Sequence, residues 1–92
     1  MNKTDSTFEQ LRGREIVIDV APPFVYLGKL TGYDENYLVL EQADVHDLRD
    51  TTKTREIYVV DARRFGIRTN REKVFVRIGE IVSVSALEDV VV

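Results

Sequence analysis

The chain has 92 residues, of which 43% are hydrophobic and 32% charged, and its formal net charge is −3. This length allows one small domain, and the absence of cysteine excludes disulfides, thiolate nucleophiles and cysteine-containing zinc sites. A single histidine leaves little for metal binding or acid–base catalysis, so we expect no enzyme and no metal or cofactor site. No apolar run reaches the roughly 20 residues of a membrane span, and residues 1–10 lack the apolar core of a signal peptide. We therefore expect a cytoplasmic protein without a membrane partner.

The first half of the chain predicts a disordered tail over residues 1–7, a short helical turn that Gly13 ends, and then three strands. In the first strand apolar and polar residues alternate, which is the period of a half-buried strand. In the second strand Gly28 and Gly32 share a register, and glycines inside a strand mark bends that help a sheet to curl into a small barrel. The predicted strands span residues 15–20, 24–33 and 37–43.

The second half begins with polar residues 44–54, which are expected to form a loop. Residues 55–65 have two interpretations, because the segment contains a strand-like apolar run but its overall apolar spacing is helical. We favour a helix, since Thr54 suits an N-cap and Gly66 suits the position after the helix. The remaining predictions are strands over residues 73–78 and 81–87, a tight turn between them at Gly79-Glu80, and a tail or short strand over 88–92.

Charged residues are unevenly distributed along the chain. Residues 1–50 carry five basic and ten acidic side chains, whereas residues 51–92 carry eight basic and six acidic ones. An acidic chain is a poor general binder of nucleic acid, but a local basic patch creates its own field. The basic run is therefore either a contact for nucleic-acid phosphates or a soluble loop that follows a helix with a basic C-terminus. The candidate basic patch consists of Arg63, Arg64, Arg68, Arg71 and Lys73.

An acidic cluster surrounds the one histidine. Asp44, Asp47 and Asp50 flank His46, and oxygen ligands together with an imidazole can hold a cation. The cluster contains no second histidine and no recognised ligand spacing. We interpret it as a solvated acidic loop and predict no metal site there.

Two segments resemble the motifs of Sm and Sm-like proteins. Residues 25–43 are similar to the first Sm motif, and residues 74–84 are similar to the second, shorter motif. The long spacing between them is similar to that of bacterial Sm-like proteins with an extended loop between the third and fourth strands. The residues that carry the resemblance are Gly28, Leu30, Gly32, Tyr33, Asp34 and the strand 38–41 in the first motif, and Arg77 with its flanking aliphatic strands in the second.

This resemblance implies a mainly β fold: a small, strongly bent, five-stranded SH3-type barrel with a short N-terminal helix. The domain would span residues 8–92, with the probable helix inside an insertion at 44–72. In the family, the fourth strand of one subunit lies beside the fifth strand of the next, and a ring of six or seven copies closes. The resemblance therefore implies a homo-oligomeric ring that joins residues 73–78 of one copy to residues 81–87 of another.

The resemblance also implies that single-stranded RNA contacts the inner rim of the ring. The candidate RNA-binding residues are Asp34, Asn36, Tyr37, Arg77 and Gly79. Two positions depart from the family pattern: Tyr37 stands where a base-holding Asn is usual, and Ile78 separates Arg77 from Gly79. These departures and the acidic balance leave an alternative, a ring without nucleic acid that acts as a scaffold or protein-interaction module.

Overall fold

The computed structural model describes residues 6–92. Most of the predicted tail over residues 1–7 lies outside the described residues. Helix α1 spans Thr7–Leu11, and the Ser6 hydroxyl accepts a hydrogen bond from the Glu9 N–H at 3.1 Å. Ser6 and Thr7 therefore belong to a capped helical turn rather than to a tail, because the serine satisfies one of the free N–H groups at the helix start.

Five antiparallel strands form one sheet in the order β4-β3-β2-β1-β5. This arrangement confirms the predicted mainly β fold with five strands, a short N-terminal helix and a helix between the third and fourth strands. Within residues 6–92, 3-10 turns lie at Leu48–Asp50, Ile78–Glu80 and Leu87–Asp89. The larger elements are β1 (Glu15–Val20), β2 (Phe24–Tyr33), β3 (Tyr37–Asp47), α2 (Arg55–Phe65), β4 (Arg71–Arg77) and β5 (Ile81–Ala86).

Helix α2 has the bounds that the sequence predicts. The Thr54 hydroxyl accepts from the Ile57 N–H at 3.2 Å, and the Gly66 N–H donates to the Ala62 carbonyl at 2.9 Å. Gly66 adopts a φ of +96°, in the left-handed region that glycine enters without a steric penalty. The strand interpretation of residues 55–65 is therefore wrong.

Several predicted boundaries need correction. Strand β3 does not end at residue 43 but continues to Asp47, because its last four residues pair with Phe24–Leu27 of β2. The predicted loop thus begins four residues later than expected. Strand β4 starts at Arg71, where it pairs with Ala43, and not at residue 73. The C-terminal segment forms a 3-10 turn in place of a final strand, and Leu87 is buried.

The sheet buries apolar side chains on both of its faces. The inner face forms the barrel core, with Ile16, Ile18, Leu30, Leu38 and Leu40 fully buried. On the outer face of β1 and β2, the buried residues of α2 and of these two strands form a second apolar cluster. That second cluster contains Val17, Val25, Leu27, Val59, Ala62 and Leu87. Because each fully buried aliphatic side chain contributes about 1.5–3 kcal/mol, α2 is an integral layer of the fold.

Both edges of the sheet are open. Within the described residues, β4 pairs with β3 and β5 pairs with β1, and neither has a second partner. Val82 on β5 is 75% exposed. Unpaired strand edges are templates for pairing with another chain. One subunit therefore presents two strands that can each accept a neighbour.

Gly28 sits where the backbone of β3 lies close beside β2. A Cβ at this position would lie 3.1 Å from the Cα and Cβ of Ala43 and 3.3 Å from the Glu41 carbonyl oxygen. At Gly32, four residues along the same strand, the nearest atom would be 3.9 Å away. The strand thus requires glycine at position 28 but not at position 32.

We expect Gly28→Val to lower the free energy of unfolding by about 1–3 kcal/mol, because the added side chain forces the two backbones apart. Gly32→Val is the matched control and should change stability little, since valine favours strands and meets no close atom. Urea unfolding followed by circular dichroism, at one protein concentration, compares the two. Equal stabilities would show that the close approach at Gly28 is not a constraint.

Candidate nucleic-acid interface

The turn between β2 and β3 lies beside the turn between β4 and β5. The antiparallel ladder places Tyr37 opposite Arg77, and the Ile78 N–H donates to the Asn36 carbonyl at 2.8 Å. Gly79 follows within the adjacent 3-10 turn. The structure therefore brings the two turns that carry the predicted RNA-binding residues to one end of the β3–β4 pair.

Asp34 shapes the first of these turns. Its Oδ1 accepts from the N–H groups of both Asn36 and Tyr37 at 2.8 Å, and its own N–H donates to the Tyr37 carbonyl at 2.9 Å. These backbone donors stabilise the ionised form and hold the pKa of the Asp34 carboxyl below its usual range. The carboxylate is exposed and charged, and its contacts explain why Asn36 and Tyr37 have fixed positions.

Tyr37 stands between two surface hollows. One, of about 330 Å³, is also lined by Arg77, Glu80 and Phe24. The other, of about 510 Å³, is also lined by Tyr33 and Phe75 and is predominantly apolar. The tyrosine side chain is 40% exposed, so a flat ligand can reach its ring.

Ile78, the residue that separates Arg77 from Gly79, has a structural role. It is half-buried and packs against the barrel core, and its N–H is bonded to the opposite turn. A Cβ at Gly79 would meet nothing within 4 Å, so the fold itself does not require glycine there. Ile78 thus anchors the turn between β4 and β5, while Gly79 leaves open space beside this turn.

The five residues of the candidate basic patch occupy three places. Arg63 and Arg64 lie in the last turn of α2, and Arg63 lines a hollow together with Glu88. Arg68 lines a different cavity, beside Asp44 and Tyr58. Arg71 and Lys73 lie on β4, at alternate positions and therefore on one face of the strand. The structure thus groups Arg63 with Arg64 and Arg71 with Lys73, and it leaves Arg68 apart from both pairs.

The predicted solvated acidic loop is correct for the exposed Asp50 but wrong for the part of the cluster that lies in β3. Asp44 is only 2% exposed, because it belongs to β3 and α2 folds over it. Its carboxylate accepts from the Tyr58 hydroxyl and, at 3.2 Å, from the Asn70 side-chain amide. Burial and this bond to Asp44 raise the pKa of the Tyr58 hydroxyl.

The other members of the cluster point to different partners. The His46 ring stacks on Tyr58 with centroids 4.0 Å apart, and Asp47 forms an ion pair with Arg49. In the part of the chain that the structure describes, no group of three acidic or histidine side chains is arranged to hold a metal ion. Through Tyr58, Asp44 and His46 fasten α2 to the sheet.

Two residues with evident roles were not selected from the sequence. Asn70 holds the end of the insertion, since its side chain accepts from the Val45 N–H at 3.0 Å and donates to the Val45 carbonyl at 3.0 Å. No local pattern marks it, because its partners are 25 residues away. Phe75 on β4 is 60% exposed. Because Val74 and Val76 follow the period of an inward-facing strand side, the sequence could have predicted that the Phe75 side chain faces away from the core.

We expect Asp34→Ala to destabilise the first turn more than Asp34→Asn, because the amide keeps an acceptor oxygen for the two N–H groups. The stabilisation from the ionised carboxylate is present above the unfolded pKa of about 3.9 and is lost as the pH falls through the lower folded pKa. Carboxyl chemical shifts in an NMR titration, with thermal unfolding of the variants, measure both effects. An ordinary Asp34 midpoint would contradict the assigned hydrogen bonds.

No protein-family model matches the sequence, and no curated protein matches it significantly. Among the described residues, no helix is long and apolar enough to cross a membrane. Solved structures, in contrast, match over nearly the whole chain. One is the Pyrococcus abyssii Sm protein in complex with a uridine heptamer, with a TM-score of 0.59 and 17% identity over 94% of this chain and 99% of that one.

Two further matches are archaeal proteins of the same fold. The P. aerophilum SmAP1 heptamer has a TM-score of 0.55 and 16% identity, and covers 94% of this chain and 95% of that one. A heptameric archaeal Sm protein has a TM-score of 0.53 and 17% identity, with 87% and 94% covered. These likenesses confirm the expected architecture, while the resemblance to bacterial proteins with an extended loop stays a prediction. The chain therefore has the Sm fold.

Proposed function

We propose that this chain assembles edge to edge into a ring and binds short single-stranded RNA at the inner rim. The observation that carries the proposal is the meeting of the β2–β3 and β4–β5 turns, joined by the Ile78–Asn36 hydrogen bond, on an Sm fold. The function is one of binding rather than catalysis, without metal or cofactor, in the cytoplasm. Residues 8–92 act as a single unit.

The open edges support a ring. Strands β4 and β5 are the two edge strands of the sheet. When β4 of one copy pairs with β5 of the next, the resulting dimer therefore still has one free edge strand at each of its two ends. Such a head-to-tail contact closes a ring when a whole number of rotations from one copy to the next completes a full turn. The two heptameric relatives in the structural comparison support a ring of six or seven copies for this chain.

The chemistry of the two turns supports RNA as the ligand. The exposed Tyr37 ring offers a surface on which a base stacks, and the Arg77 guanidinium neutralises phosphate or stacks on a base. Asn36 supplies an amide that can read a base edge, and Asp34 positions this amide by fixing the turn. The open space at Gly79 lets a backbone approach closely. The relative solved with a uridine heptamer supports this assignment.

A ring without nucleic acid is the second candidate. Three observations favour it: the net charge of −3, Tyr37 at the place of a base-holding Asn, and Ile78 between Arg77 and Gly79. Because phosphate attraction dominates most nucleic-acid binding, an acidic chain needs a well-placed local site to bind RNA. The next two experiments separate the candidates.

We expect native mass spectrometry of protein purified without nuclease to show one closed ring that carries RNA. The exposed edge strands drive assembly, and the rim retains RNA at low ionic strength. Nuclease-treated protein is the control, and it should give the same ring without the added mass. A ring free of nucleic acid in both preparations supports the scaffold, and a monomer contradicts assembly through the edges.

We expect Arg77→Ala to weaken the binding of a uridine hexamer at least fivefold and to reduce the salt dependence of the binding constant. One base stack contributes about 1–3 kcal/mol, and each neutralised phosphate adds to the salt slope. Arg49→Ala removes the same charge from an exposed 3-10 turn and should have no effect. Fluorescence anisotropy at several salt concentrations measures this; equal affinities for all three proteins would exclude Arg77 from the site.

A further inference from the structure

Three aromatic side chains line one hollow on the surface of the sheet. We call this the aromatic hollow; its volume is about 510 Å³, and Tyr37 and Phe75 are 40% and 60% exposed beside it. Exposed aromatic surface that gathers at one place is typical of a binding site rather than of ordinary protein surface. The residues that line the aromatic hollow are Tyr33, Asp34, Tyr37, Val39 and Phe75.

The register of β3 and β4 sets the spacing of two of the rings. Val39 lies opposite Phe75, two positions along β3 from Tyr37. Tyr37 and Phe75 are therefore diagonal neighbours on the outer face of the sheet, and such positions are about 7–8 Å apart. Because a flat group contacts an aromatic ring at about 3.5–4 Å, this spacing leaves room for one planar group between the two side chains.

Both tyrosines of the aromatic hollow are held by contacts within the fold. The Tyr33 hydroxyl donates to the Glu9 carboxylate at 2.8 Å, and the Tyr33 ring lies 5.8 Å from the ring of Phe8 on α1. The Tyr37 N–H donates to the Asp34 carboxylate at 2.8 Å. Side chains that are already ordered lose little freedom when a ligand binds, so these contacts prepare the hollow for an occupant.

Asp34 supplies the charge of the aromatic hollow. Among the described residues that line the hollow, it alone carries a charge. Its Oδ1 accepts from two backbone N–H groups, whereas within residues 6–92 no hydrogen bond is made to Oδ2. Both oxygens of an ionised carboxylate are acceptors. Oδ2 is therefore free to accept from a ligand that carries an N–H donor.

The cations near the aromatic hollow have acidic neighbours of their own. Lys73 lies directly opposite Glu41 on β3, and Arg77 lines the neighbouring hollow of about 330 Å³ together with Glu80. The chain as a whole has a net charge of −3. The charge within the hollow and the charge of the whole chain therefore both favour a cationic occupant.

Pairing of β4 with another strand leaves the aromatic hollow open. A neighbouring strand approaches in the plane of the sheet, whereas side chains such as Phe75 stand roughly perpendicular to it. The hollow is thus accessible in a single subunit and in a ring joined through its edges. A ligand in it needs neither the ring nor RNA, although Tyr37 lines the hollows on both sides.

We propose that the aromatic hollow binds an arginine side chain from a basic segment of a partner protein. The guanidinium lies between Tyr37 and Phe75 and donates to Oδ2 of Asp34. Guanidinium is planar and weakly hydrated, so it stacks on aromatic rings while its edge donates hydrogen bonds to a carboxylate. The ammonium of lysine is compact and strongly hydrated, and a quaternary ammonium has no N–H for the free oxygen.

The test compares three short peptides on the intact, nuclease-treated protein by saturation-transfer NMR, which measures weak binding without a label. Each peptide contains glycine and serine around one central residue, which is arginine, lysine or citrulline. Citrulline keeps the planar shape without the charge, and lysine keeps the charge without the plane. We expect the arginine peptide to bind at least about threefold more tightly than either of the others.

Two variants each remove one feature of the hollow. Phe75→Leu removes a ring but stays apolar, and Asp34→Asn removes the charge but keeps an acceptor oxygen for the turn. Each should weaken binding of the arginine peptide by about threefold, whereas Phe75→Tyr should bind it normally. Phe65→Leu and Asp50→Asn are the matched controls, because they change an exposed ring and an exposed carboxylate elsewhere, and they should have no effect.

Four results would overturn the proposal. The arginine peptide does not bind; it binds no more tightly than the lysine peptide, which indicates general attraction to an acidic chain; it binds no more tightly than the citrulline peptide; or Phe75→Leu and Asp34→Asn bind it as tightly as the unchanged protein. The comparison of peptides decides the question even where a variant fails to fold. Displacement of the peptide by tetramethylammonium at a lower concentration than by guanidinium would also overturn it, in favour of a quaternary ammonium ligand.

The RNA site is tested separately. No RNA is present in the peptide experiment, so failure of the arginine peptide to bind leaves the proposed function standing. Loss of RNA binding in Arg77→Ala, or its absence in the unchanged protein, likewise leaves the aromatic hollow standing.

Discussion

The bend that β2 and β3 share is the constraint on which the rest of the structure depends. Gly28 leaves no room for a Cβ beside Ala43, and β3 contains an extra residue at this point, where Gln42 adopts a φ of +51°. Because side chains alternate along a strand, one extra residue exchanges the faces that the following positions occupy. Leu38 and Leu40 therefore point into the barrel, while Asp44 points outward to α2. The bend allows a single pair of strands to build both the barrel core and the platform for the inserted helix.

The outer face of the sheet is divided as a result. At one end of β3, the buried carboxylate of Asp44 accepts hydrogen bonds from Tyr58 and Asn70, and these contacts fix the insertion in place. At the other end, Tyr37 and Phe75 remain exposed, and Arg77 lies opposite Tyr37. A satisfied buried network contributes rigidity, whereas unpaired charge and exposed aromatic surface are available to a ligand. The chain thus separates the residues that hold the fold from those that are free to bind.

Strand alternation, turn residues and helix caps in the sequence were sufficient to predict the five strands and α2. Thr54 and Gly66 marked the helix because capping is a local interaction, and the core valines of β4 were visible from their period of two. The extension of β3 to Asp47 could not be predicted, since three of residues 44–47 are polar and the segment forms a strand because it pairs with Phe24–Leu27. The same holds for the candidate site. Local motif resemblance selected Asp34, Tyr37 and Arg77, but the hydrogen bond that joins the two turns connects residues 42 positions apart.

The bend at Gly28 has a geometric consequence for assembly. Strands β4 and β5 lie at the two ends of one curved sheet, so the curvature sets the angle between the two free edges of a subunit. In any head-to-tail assembly through these edges, that angle is the rotation from one copy to the next, and it determines how many copies complete a circle. Subunit number is then a property of the interior of the monomer. A substitution that opens or tightens the contact between Gly28 and Ala43 would change the stoichiometry without altering a single residue at the interface.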